Sequence, residues 1–148
     1  MLNQYEINPS TIALIATGSN ETKVVEVEQT FMIGKSTTEI INHSCKYFGS
    51  SLVGRKEGTK ALTGISYKAP IIVEETQSII FFPTSSPRFD NCSWISLNHI
   101  NDYFKANGTS LITFKNGQSL EIDISYGSLE NQVLRATRLE SILRHRKI

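Results

Sequence analysis

Features that would set this chain apart from an ordinary soluble domain are scarce. Two cysteines, Cys45 and Cys92, are too few for a disulfide scaffold and read as packed free thiols. No apolar run approaches the roughly 20 residues that cross a bilayer, so a membrane span is excluded. The first residues, Met1-Leu2-Asn3-Gln4-Tyr5-Glu6, lack the basic segment and apolar core of a secretory signal. A cytoplasmic location is therefore expected. Charge of one sign is missing as well: the net charge is only +1.

What is present fits one compact domain over residues 1–148, with 39 % hydrophobic and 20 % charged residues. The small net charge conceals an uneven distribution. Residues 44–70 hold five Lys/Arg against one Glu, a net +4, and residues 131–148 again hold five against one. The segments between them are acidic: residues 1–43 have two Lys/Arg against five Glu, and 71–130 have three against seven Asp/Glu. Basic blocks converging on one face would suit a polyanion. Basic residues late in a terminal helix also simply complement its dipole, and that reading stays open for the last block.

The pattern of apolar residues predicts an α+β fold: a mainly antiparallel sheet built from hairpins, with two principal helices at about 36–48 and 128–146. Thr11 to Ala16 and Thr22 to Val27 flank turn chemistry at Gly18-Ser19-Asn20, and Thr30 to Gly34 can extend the same sheet. Ser36 with Glu39 forms a capping box that starts a helix, and Gly49 supplies a left-handed stop. Pro70 to Val73 and Ser78 to Phe82 read as a further hairpin, preceded by an extended stretch at Ile65 to Tyr67. Cys92 to Ile100 suits either periodicity; a strand, a turn near Asn98 and a second strand are favoured. Asn116-Gly117 between alternating runs is the strongest hairpin signal in the chain. Ser128 is expected to cap the last helix, with Leu129, Val133, Ala136, Leu139 and Leu143 on its buried stripe. Leu134 and Ile142 lie off that stripe and suit a second contact, such as a subunit interface.

The stretch from His43 to Lys60 draws most attention. Gly49 to Gly64 contains four of the nine glycines and reads as a long loop with at most one helical turn, carrying Arg55, Lys56 and Lys60 among the hydroxyls of Ser50, Ser51 and Thr59. Such a loop is suited to phosphate. Gly49 to Glu57 nearly spells a P-loop, but Arg-Lys-Glu follows the second glycine and a helix precedes the motif, so nucleotide hydrolysis is rejected. Gly54-Arg55-Lys56 with Gly58 instead suits an arm for a narrow A/T-rich minor groove, the alternative being a solvated surface loop. Tyr67-Lys68 and Pro87-Arg88-Phe89 add aromatic–cation pairs. His43, Cys45, Cys92 and His99 match no metal-ligand spacing, and no nucleophile–base set or paired carboxylates emerge. Neither a cofactor, a metal nor an enzymatic activity is expected.

Cys45-Lys46-Tyr47-Phe48-Gly49-Ser50-Ser51-Leu52-Val53-Gly54-Arg55-Lys56-Glu57-Gly58-Thr59 closely resembles the central signature of the ComK family of bacterial competence transcription factors. Ile65 to Val73, Phe82-Pro83-Thr84, Cys92 to Ser96, and Ile124-Ser125-Tyr126 followed by Glu130 to Val133 resemble it too, in order along most of the chain. The resemblance implies an activator of DNA-uptake genes that binds double-stranded DNA at paired A/T-rich boxes, largely through the minor groove. It also implies dimers that assemble into tetramers on promoters, on the nucleoid, and an adaptor that delivers the protein to an ATP-dependent protease. Longer relatives carry a C-terminal extension that contributes to that control, whereas this sequence stops at Ile148, so adaptor control is left open. Ser93 to Val133 faintly resembles the LytTR DNA-binding domains, which favours a strand-based reader over a helix-turn-helix.

On this reading Arg55, Lys56 and Lys60 are the leading DNA contacts, followed by Lys46 and Lys68, with Arg88, Arg135 and Arg138 as outer candidates. Arg55 is the expected groove-inserting residue and the others position phosphates. The alternative is a non-catalytic interaction or adaptor module that docks an acidic partner on the same basic loop.

Overall fold

The computed structural model describes residues 2–146. Nine strands and three helices follow the order β1 (Thr11–Gly18), β2 (Glu21–Glu26), β3 (Thr30–Ile33), α1 (Thr37–Tyr47), α2 (Leu52–Thr63), β4 (Ile71–Glu74), β5 (Ile79–Pro83), β6 (Trp94–Ser96), β7 (Ile100–Lys105), β8 (Ser110–Phe114), β9 (Ser119–Ile122) and α3 (Tyr126–His145). A 3-10 turn at Leu97–His99 joins β6 to β7. The strands form a six-stranded sheet ordered β3-β2-β1-β6-β5-β4 and a three-stranded sheet ordered β7-β8-β9. Every pairing between these strands is antiparallel.

Both faces of the larger sheet are buried, which explains why its strands read as continuous apolar runs instead of alternating ones. Leu14, Val24, Ile71, Val73, Phe81 and Trp94 face α1, where they join Ile40, Ile41 and Cys45. Ile12, Val25, Ile72, Ile80, Phe82 and Ile95 face the opposite side and meet Leu129, Ala136, Leu139 and Leu143 of α3, together with Ile112, Phe114, Ile122 and Ile124 of the β8–β9 region. Ile12 and Leu14 fall in different cores although two residues apart, because a β-bulge between Thr11 and Ala13 resets the alternation.

The three helices depart from the expected two. Residues 49–64 are not a long loop: Ser51 caps a 12-residue helix, α2, its Oγ accepting from the Gly54 amide at 2.9 Å. A Cβ at Gly54 would stand 2.9 Å from Ser50 Oγ and 3.3 Å from the capping Ser51 Oγ, so a larger residue there would force the serine hydroxyls to move. Gly64 ends the helix in the left-handed region, φ 79°. The glycines lower the helix propensity of this stretch, but tertiary contacts override it. Leu52, Thr59 and Thr63 form a single buried stripe at i, i+7 and i+11. Thr59 Oγ1 donates to the Pro70 carbonyl at 2.7 Å. Leu52 belongs to one core and Leu62 packs on the other, so α2 lies along the β4 edge of the sheet and links its two sides.

Two smaller expectations are corrected. The last helix is capped by Ser125, whose Oγ accepts from the Ser128 amide, so the cap lies three residues earlier than expected and the helix starts at Tyr126. Its buried stripe takes in Gln132 in place of Val133, which is only partly buried. Ile65 to Tyr67 forms no strand, since the chain bends at Tyr67–Lys68 with Lys68 in the left-handed region, φ 48°. The α1 capping box is present in full, with Ser36 Oγ accepting from the Glu39 amide and Glu39 Oε1 accepting from the Ser36 amide.

Candidate nucleic-acid interface

The α1–α2 connection is short and tied at both ends. The Ser50 amide donates to the Cys45 carbonyl at 2.9 Å, and the Leu52 amide donates to Asn42 Oδ1 at 3.0 Å. These bonds fix where α2 starts and therefore where its cations point. Lys56 and Lys60, four residues apart, share one flank of the helix, while Arg55 lies about 100° round from Lys56 on the other side of the buried stripe. Lys60 is exposed; Arg55 and Lys56 are half-buried.

Arg55 is thus not an arm on a slim loop. Its Nε is buried without a hydrogen-bond partner among the described residues. Its charge acts on the Cys45 thiol, partly opposing the burial that lifts that group to about 11. A helix about 10–12 Å across does not enter a minor groove about 6 Å wide, so insertion at Arg55 does not follow from its shape. Burial raises the Cys92 thiol pKa, weakly opposed by the Lys56 charge, and Cys92 Sγ donates to the Ser85 carbonyl of the 84–91 loop. Arg88 stands on that loop, its guanidinium 5.1 Å from the Phe89 ring centroid. Lys46 is exposed in the last turn of α1, where it also complements the helix dipole.

A second group gathers beyond the C-terminal end of α2. Lys68 Nζ lies 5.6 Å from the Tyr67 ring centroid, and Tyr67 is 65 % exposed. Arg138 is exposed on α3. Arg135 is engaged from within: its guanidinium donates to the Tyr67 carbonyl at 2.5 Å and to Gln132 Oε1 at 2.6 Å, with a longer contact to the Lys68 carbonyl at 3.4 Å. Burial pushes its pKa down from the usual arginine value. Gln132, buried on α3, donates to the carbonyls of Lys68 at 3.0 Å and Pro83 at 2.7 Å. Gln132 falls in the Glu130 to Val133 stretch that resembles the ComK family, but its part in this arrangement was not legible, because a single polar residue on an apolar stripe has no signature of its own.

No ion pair among the described residues involves Lys46, Arg55, Lys56, Lys60, Lys68, Arg88, Arg135 or Arg138. Their charge is therefore not cancelled by an internal carboxylate. Among the described residues there is also no cluster of three or more His, Cys, Asp or Glu side chains placed to hold a metal, and no helix long and apolar enough to cross a membrane. A hollow of about 310 Å³ opens between the N-terminal segment and α1 at Tyr5, Lys35, Glu39 and His43, away from α2.

An α+β frame carrying cations on one helix flank and a clamped bend is consistent with a protein that reads a polyanion, and comparison with known proteins gives the class. The chain belongs to the ComK family, whose family model, described as ComK protein, matches residues 2–147. This is a family of transcription factors and not of enzymes. One relative is the competence transcription factor of Bacillus subtilis (strain 168), 40% identical over 145 residues that cover 95% of this chain and 75% of that protein. No solved structure matches the chain.

Proposed function

We propose that this protein is a sequence-specific DNA-binding activator of competence genes that recognises A/T-rich boxes largely through the minor groove, as a dimer or a tetramer on the promoter. The observation that carries the reading is the likeness to a competence transcription factor along nearly the whole chain. The arrangement of the cations supports a path for the phosphates. Lys56 and Lys60 share one flank of α2, Lys46 lies in the last turn of α1 before the short connection, and Arg88 stands on the 84–91 loop. These side chains track the sugar–phosphate backbone, which gives affinity and register but not sequence. Arg55, half-buried on the other flank, supplies long-range field. An adaptor partner and a site on the nucleoid belong to the same reading.

Titration of an A/T-rich duplex by fluorescence anisotropy at several salt concentrations tests it. Each lost phosphate contact flattens the slope of log K against log salt by about 0.9, so Lys56→Ala and Lys60→Ala each reduce it by roughly one. A drug that fills the minor groove competes with the protein. An unchanged slope in both variants removes α2 from the interface. Absence of any binding to duplex leaves the other class, a module that docks an acidic protein.

A further inference from the structure

We infer that the groove-entering element is the Tyr67–Lys68 bend, and that Arg135 positions this bend without touching DNA. The inference rests on the DNA-binding reading above and names the residues that would give it sequence preference. Three observations converge on the bend. It is slim, because residues 64–70 lie outside any helix or strand, whereas the α2 cations sit on a helix too thick for a minor groove. It is strained, because Lys68 is a non-glycine residue at φ 48°, a conformation that persists only where the surroundings over-determine it and that collects at ligand clamps. It is held, because α3 binds consecutive carbonyls at its tip: Arg135 takes Tyr67 O and Gln132 takes Lys68 O.

The consequence of the clamp is a fixed presentation of side chains. With both carbonyls drawn toward α3, the Tyr67 ring projects into solvent and the Lys68 ammonium lies over it. An aromatic body with a cation at its tip suits the narrow, electronegative groove of A/T-rich duplex, where apolar contact with the groove walls and positive charge act together. Thr59, bonded to Pro70 O, and Thr63 Oγ1, accepting from the Ile65 amide at 3.1 Å, anchor the ends of the segment to α2. Lys60, in the last turn of α2, therefore lies at the same end of the helix as the bend.

The test compares wild type, Lys68→Ala, Arg135→Lys and the double variant on A/T-rich and G/C-rich duplexes of equal length. Trp94 fluorescence confirms that each is folded. Lys68→Ala is expected to narrow the A/T preference by about fivefold or more, the lower end of what one groove contact discriminates. Arg135→Lys keeps the charge but loses the planar fork that holds a carbonyl and Gln132 together, so it reproduces the Lys68→Ala loss and speeds tryptic cleavage after Lys68. In the double variant Arg135→Lys adds less than twofold. Full DNA affinity in Arg135→Lys marks Arg135 as an ordinary phosphate contact and overturns the proposal, as do losses that multiply in the double variant or an A/T preference that Lys68→Ala leaves intact. Failure of the wild type to bind either duplex refutes the broader DNA-binding reading, which separates the two outcomes.

Discussion

Replacement of Gln132 by alanine is the sharpest probe of how α3 is joined to the rest of the molecule. The residue is 2 % exposed and serves three partners, donating from Nε2 to the carbonyls of Lys68 and Pro83 and accepting from Arg135 at Oε1. Truncation leaves the Pro83 carbonyl without its 2.7 Å donor, at about 1–3 kcal/mol for an unpaired buried group. The Lys68 carbonyl falls back on the 3.4 Å contact from Arg135, and Arg135 loses its shortest side-chain acceptor, together about 1 kcal/mol. Lost packing adds about 1–2 kcal/mol, while freeing a long side chain returns about 1–2 kcal/mol of entropy. The net expectation is about 2–4 kcal/mol, or a Tm lower by roughly 6–12 °C for a chain of this size. Urea unfolding followed by the fluorescence of Trp94, the single tryptophan and fully buried, measures it directly. Gln132→Met fills the same volume without polar atoms and isolates the hydrogen-bond part, about 1–3 kcal/mol. A loss below 1 kcal/mol in Gln132→Ala, with an unchanged m-value, would refute the claim that this side chain joins the helix to the bend.

Other expectations follow from single sites. Lys68→Gly relieves about 1–2 kcal/mol of left-handed strain at φ 48° and gives back about 0.4–1 kcal/mol through a freer unfolded chain. The variant should be slightly more stable yet weaker on DNA, and a lower Tm would contradict the strain. Burial acts to raise the Glu26 carboxyl, but hydrogen bonds from Tyr5, Gln29 and Asn8 outweigh it and hold its pKa below the usual carboxylate range. A depressed folded-state pKa gives stability that is complete above the unfolded value and lost as pH falls through the folded one, so Glu26→Gln should flatten the acid limb of a stability–pH curve. Burial lifts the Cys45 thiol to about 11 and raises Cys92 as well, so iodoacetamide should label neither at pH 8 until urea unfolds the chain. Prompt labelling of the native protein would show that these sites are more open than their packing indicates.

The sequence made some elements plain and hid others for identifiable reasons. The Asn116-Gly117 hairpin and the Ser36/Glu39 box are chemical devices whose residues act on their own backbone, so they are legible without knowledge of the neighbours. The strand–turn–strand choice at Trp94 to Lys105 also matches, because Asn98 falls within a 3-10 turn between two strands. Helix α2 was hidden because its buried stripe consists largely of threonines, which periodicity scored as polar, and because four glycines in and around it advertise a loop. Only the hydrogen bond from Thr59 to Pro70, remote in neither sequence nor space but invisible in composition, shows why that stripe is inside. The site fared similarly. Cations were legible as a block of charge, whereas the recruitment of Arg135 by backbone carbonyls 67 and 68 residues earlier in the chain was not.

Helix α2 has a duty besides carrying lysines: it shields the open side of β4. An outermost strand with free amides and carbonyls is a template on which another chain can crystallise into cross-β order. Substitutions that melt α2 into the flexible loop its glycines suggest would therefore expose a sticky margin as well as disperse the charge. Selection for DNA affinity on this helix is bound to selection against aggregation, and solubility is the first property to watch when its residues are changed.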